Sequence, residues 1–229
     1  MKDLLNLIYI FIKPKVVLKK LKRNPDFLYP LIVIFIIQAI SGYSTIRVIS
    51  QELSQSARPP VLLSIISSII GALASILILW FVSIVIAFII GKRGEYKNLF
   101  SIVVYGYLPN NLILLIRSIL GLPGRGIGLA TNLPQNSSIY LFQLLRRVDI
   151  FYIWSIVLII YGIVVLYELK RRETLIVVAL FILYFLLFPL LSLLIQPEAG
   201  KTNVLNRRPV FFRFLRPGGS NPKIPRPKP

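Results

Sequence analysis

The sequence contains neither cysteine nor histidine, and its one methionine is Met1. Disulfides, thiolate nucleophiles, Cys/His zinc sites and proton relays through imidazole are therefore excluded. Acidic residues are almost as scarce, eight against 27 lysines and arginines. Each of the eight (Asp3, Asp26, Glu52, Glu95, Asp149, Glu168, Glu173 and Glu198) stands at the end of an apolar run or in a connection. No pair of carboxylates is left for acid–base work inside a run, and no phosphate-binding loop is present. These absences argue against an enzyme and against a resident cofactor or metal.

Apolar residues are abundant: 56% of the 229 positions are hydrophobic, and the mean hydropathy is +0.77. Runs of about twenty residues with almost no charge recur, and about twenty helical residues are what a hydrocarbon core of about 30 Å requires. A soluble domain of this size does not have that composition. The expectation is an all-α polytopic transmembrane helical bundle.

Residues 1–26 read as an interfacial segment, "LLNLIYIFI" followed by a basic collar of Lys13, Lys15, Lys19, Lys20, Lys22 and Arg23. The start shows no small-residue cleavage site, so the first span is expected to act as its own insertion signal. Five spans are expected within 27–195, at 27–46, 61–90, 99–120, 150–169 and 174–195. Asn24, Pro25 and Asp26 open the first, the pair Pro59 and Pro60 precedes the second, and Asp149 is placed to cap the fourth. Ser64, Ser68 and Ala72, with Ser67, Gly71 and Ser75, recur at four-residue spacing, a pattern that lets helices pack closely in lipid. Between the third and fourth spans, "SSIYLFQLLRRVD" is expected to form a surface helix, and Asn136–Ser138 matches a glycosylation triplet. The tail, 196–229, holds seven prolines and eight basic residues and cannot build a core, so it reads as disordered or partner-bound. Its "RRPVFFRFLRP" sets Arg207, Arg208, Arg213 and Arg216 around Phe211, Phe212 and Phe214, a pattern suited to lipid or partner contact.

Basic residues flanking the spans set orientation. With a cytoplasmic N terminus, the cytoplasmic segments hold thirteen of them and the opposite loops five (Arg47, Arg58, Arg125, Arg146 and Arg147), before the tail is counted. The same residues read as attraction to anionic lipid headgroups. They are shared among both termini and several loops, which does not describe a nucleic-acid-binding face. Arg117, inside the third run, reads as a snorkelling anchor.

The third run carries an anomaly, "YGYLPNN". Pro109 has no amide proton and removes the helical partner of the Tyr105 carbonyl, while Gly106 weakens the same turn. Such a defect survives in a membrane only where neighbouring groups complete the hydrogen bonds. Two readings stay open. Either Asn110 and Asn111 bond to adjacent helices across a kink, or Tyr105, Gly106, Tyr107, Pro109, Asn110 and Asn111 line a small polar cavity, as in a transporter or channel. A re-entrant third run would leave four spans.

Taken in order, "IKPKVVLKKLKRNPDFLYP", "NLFSIVVYGYLPNNL", "DIFYIWSIVLIIYGI" and a basic turn before the last helix resemble the prokaryotic branch of the Yip domain family. These are five-span membrane proteins named for yeast relatives that bind Rab-type GTPases. The resemblance covers roughly residues 10–195. It implies a five-helix bundle with a cytoplasmic N terminus in a prokaryotic cell membrane. It also implies an adaptor or accessory subunit whose partners are other integral membrane proteins, an ABC-type exporter among them.

Overall fold

The computed structural model describes residues 2–52, 60–120 and 149–195. All but the last residue of the surface helix expected over 137–149, the Asn136–Ser138 triplet, Pro59 and the whole tail with Arg207, Arg208, Phe211, Phe212, Arg213, Phe214 and Arg216 lie outside the described residues. Described residues form helices and no strand: α1 (Lys2–Ile12), α2 (Pro14–Arg23), α3 (Leu28–Glu52), α4 (Val61–Ile89), α5 (Tyr96–Gly106), α6 (Leu108–Ile119), α7 (Ile150–Tyr167) and α8 (Arg171–Ile195).

Prolines and glycines punctuate this order. Lys13, held out of the helical region at φ −133°, ψ 59° by the Pro14 that follows, separates α1 from α2, and Pro14 opens α2 where its missing N–H costs nothing. Asn24 is extended ahead of Pro25, and Asp26 Oδ1 then accepts from Leu28 N at 3.2 Å to start α3. At the far end of α4, Gly91 takes a left-handed φ of 74°. Lys92 N then donates to Ala87 O and Gly91 N to Phe88 O, closing the helix with the paired bonds of a glycine cap. Asp149 caps α7 as expected, its Oδ1 accepting from Phe151 N at 2.9 Å.

Four stretches among the described residues are long and apolar enough to cross a membrane: Leu28–Arg47, Val61–Ile89, Tyr96–Ile119 and Ile150–Tyr167. The third consists of α5 and α6 end to end. At one end of the bundle Asn98 Nδ2 donates to Lys22 O, beside the Lys22–Glu168 pair that marks the end of α7. At the other end Arg117 meets Asp149 at the start of α7. The third run therefore passes from one end of the bundle to the other, antiparallel to α7. The fifth expected run, 174–195, is helical within α8.

The N-terminal segment is part of the bundle. Val17, Leu18 and Leu21 of α2 are buried among α5 and α7, and Ile10 of α1 joins the same core. Leu18 and Ile102 both press on the notch at Gly162 of α7. Aromatic rings tie the neighbouring helices at this end: Phe27 and Trp80 each meet Phe100 edge-on, at 5.1 and 5.4 Å between centroids.

A candidate functional site at the broken central helix

Every residue from Ser101 to Asn111 is buried, so the run that carries the break is the central one. Helices α3, α4 and α7, with α2 at one end, sheathe it. Lipid does not reach the defect, and protein groups must complete its bonds.

The break itself is small. Helix α5 ends at Gly106 and α6 begins at Leu108, with Tyr107 between them still near helical at φ −82°, ψ −10°. Tyr107 N keeps its bond to Val103 O at 2.9 Å. Beyond Pro109 the backbone turns to side chains: Asn110 N donates to the Ser155 hydroxyl of α7 at 3.1 Å. Asn111 Nδ2 donates back to Tyr107 O at 3.0 Å, while its Oδ1 accepts from Gln38 Nε2 of α3 at 2.7 Å. Gln38 Oε1 in turn accepts from Ser68 Oγ of α4 at 2.8 Å. One chain of hydrogen bonds thus runs from α4 through α3 to the break, and a separate bond joins the break to α7.

Gly106 has a steric role besides its weak helix propensity. A Cβ there would lie 2.5 Å from Ile159 Cγ1 and 3.3 Å from Ile159 N, so α7 passes closer than any side chain allows. Of the residues singled out around the break, Asn110 and Asn111 join it to its neighbours and Gly106 admits α7. Tyr105, Tyr107 and Pro109 are buried in the same stretch. The amides and hydroxyls in this arrangement cross-link helices. Among the described residues no group of three Asp, Glu, His or Cys could hold a metal ion.

The small residues of α4 divide into two faces. Ser64 and Ala72 face α3 with Ser68: Ser64 Oγ donates to Gly42 O at 3.2 Å, and Ala72 is buried. Gly42 makes that approach possible, since a Cβ there would meet Ser64 O and Ile65 Cα at 3.0 Å. Ser67 and Gly71 lie exposed and Ser75 half-buried; Ser67 and Ser75 bond their own helix, to Ser64 O and Gly71 O.

On the collar, Lys13, Lys15, Lys19, Lys20 and Arg23 are exposed, and Lys22 Nζ pairs with Glu168 Oε1 at 2.7 Å. That pair and its hydrogen bond hold the Glu168 carboxyl below its ordinary range. The snorkelling anchor expected at Arg117 is corrected: its side chain is buried, and NH2 stands 3.5 Å from Asp149 Oδ2. The Asp149 carboxylate, one residue ahead of α7, offers a counter-charge inside the protein, and the arginine is turned toward it.

Gln38, Ser155 and Gly42 escaped the sequence reading. Gln38 had a visible signal, being the one amide in "LIVIFIIQAI". Ser155 and Gly42 had none, because their roles depend on which helix lies opposite.

No curated protein and no solved structure matches this chain. The pattern that defines the Yip1 domain does match, over residues 8–193, from within α1 to the last turn of α8, and the chain belongs to the Yip1 domain family of membrane proteins.

Proposed function

We propose that the protein is a non-enzymatic adaptor or accessory subunit that works by association with other integral membrane proteins. The observation that supports this best is the closed bonding at the break: Ser68, Gln38, Asn111 and Ser155 are spent on one another and on the backbone. What this bundle offers other molecules is its surface, apolar along the helices and basic at one end. Membership of a family that is generally non-enzymatic points the same way.

In this reading α8 is a fifth span, its 25 residues amounting to about 37 Å of helix. The excess of lysine and arginine at the α2 end favours a cytoplasmic N terminus. The resemblance to prokaryotic members of the family favours an ABC-type exporter as the partner. Association would use the outward helix faces, including the Ser67–Gly71–Ser75 side of α4, together with the basic ends.

Purification in a mild detergent, followed by mass spectrometry of what remains attached, tests this. A membrane protein retained in fixed ratio is the expected result. Solute flux in proteoliposomes that disappears in Gln38→Leu or Asn111→Leu, with no partner retained, would instead make the protein a small transporter or channel using the broken helix.

A further inference from the structure

The α1–α2 unit combines three properties that point to one ligand. First, α2 is fixed in place. Val17, Leu18 and Leu21 are at most 1% exposed, Asn98 holds the Lys22 carbonyl at 2.7 Å, and Lys22 is paired with Glu168. Secondly, its outward stripe, Val16, Lys19, Lys20 and Arg23, follows the i, i+3, i+4, i+7 spacing of one helical face, and all of these are exposed. Thirdly, the chain just before this cationic stripe exposes large apolar side chains, Ile8 at 54% and Ile12 at 67%, with Tyr9 beside them.

Exposed isoleucines next to the exposed Lys19 and Arg23 fit a partner that is apolar and anionic within about one helix length. A free anion satisfies only the two cations. An acidic soluble protein likewise leaves the isoleucines uncovered at a membrane surface. An acidic phospholipid satisfies both, and the unit lies at the end of the bundle where α3 begins and α7 ends, at the level of an interface.

We propose that α1 and α2 form a preorganised seat for an anionic phospholipid of the surrounding leaflet. Its acyl chains lie along Ile8, Ile12 and Val16, and its phosphate is held by Lys19 and Arg23. Because α2 spends its apolar face on the protein, the cations form a fixed array, and no ordering of a flexible segment accompanies lipid capture. This deepens the reading of the basic end given above, and rests on it only in requiring a bilayer-embedded bundle.

The full-length protein, purified in mild detergent, is offered phosphatidylglycerol and phosphatidylcholine of identical chains, and retained lipid is counted by native mass spectrometry. Retention of phosphatidylglycerol over phosphatidylcholine is expected. Lys19→Gln/Arg23→Gln should lower it about tenfold or more. Ile8→Ser/Ile12→Ser should lower retention of both lipids. Lys170→Gln/Arg171→Gln/Arg172→Gln, at the other basic turn, should leave it unchanged. Equal retention of the two lipids by the wild type overturns the proposal, as does an equal fall in both charge variants, which would mean bulk charge. Displacement by inorganic phosphate would mean a simple anion patch, and an acidic protein in the lipid's place a protein interface; either also overturns it. Failure of the adaptor reading appears separately, as the absence of a protein partner, and leaves the lipid count untouched.

Discussion

Gln38 and Asn111, 73 residues apart in the chain, meet amide to amide at 2.7 Å in the buried centre of the bundle. The contact places the weakest turn of the central run under the control of α3, and through Ser68 under that of α4 as well. Replacing Gln38 by Leu strands the Asn111 carbonyl and the Ser68 hydroxyl and should destabilise the fold by about 1–3 kcal/mol. A double-mutant cycle of Gln38→Leu with Asn111→Leu, read by unfolding in detergent, should give a coupling of about 0.6–2 kcal/mol. Strict additivity would mean that the amides do not act as one clamp.

Three glycines should respond differently to alanine. Gly106→Ala and Gly42→Ala each drive a methyl against a neighbouring helix, at Ile159 and at the Ser64–Ile65 backbone, and should cost about 1–3 kcal/mol. Gly71 has nothing within 4 Å of the position a Cβ would take, so Gly71→Ala should be neutral or stabilise the isolated protein by up to about 1 kcal/mol. Thermal unfolding of the three variants in one detergent distinguishes close approach from helix propensity.

The Arg117–Asp149 pair should show the asymmetry of buried charges. Arg117→Met alone leaves the carboxylate without this counter-charge and should cost about 3 kcal/mol or more. Adding Asp149→Asn, which keeps an oxygen for the Phe151 amide, should restore much of the loss. A double variant as unstable as the sum of its parts would contradict the pairing.

Glu168 ties the end of α7 to α2 from an uncommon backbone position, φ 50°. Its hydrogen bond to Lys22, and then the charge of Lys22, lower its pKa from the ordinary value of 4.5. A carboxylate whose pKa is depressed on folding contributes stability above 4.5, and that contribution is lost as the pH falls through the lower folded value. Docking of α2, followed by a cross-link between cysteines placed at Leu18 and Ile102, should therefore loosen in acid. Because the pair is exposed, salt should loosen it too. Glu168→Gly should abolish both sensitivities while relieving the left-handed residue. Unchanged acid sensitivity in that variant would assign the effect to another group.

The spans were legible because hydropathy and length report them directly, and the caps because Asp26 and Asp149 act within a few residues of themselves. Boundaries moved where local signals were absent. Helix α3 runs past Ile46 to Glu52, since nothing between them breaks a helix, and α5 starts at Tyr96 because Gly91 and Gly94 finish the turn earlier than the charges suggest. The break at Pro109 was visible as chemistry, but its partners were not. A proline announces that the polar groups around it need partners without saying which, and Gln38, bonded to Asn111, and Ser155, bonded to the Asn110 amide, are supplied by the order in which helices surround α5 and α6. The inward turn of Arg117 was hidden for a related reason: Asp149 lies 32 residues away, and no periodicity connects them.

The sheathing of α5 and α6 also has a bearing on how the chain is made. When Asn111 leaves the ribosome, Gln38 and Ser68 are already in the membrane, so one side of the proline turn can close at once. Ser155 follows 45 residues later, and until it arrives the Asn110 amide lacks its final acceptor. The central rod thus enters the bilayer half furnished, and α7 is the closing piece of its biogenesis.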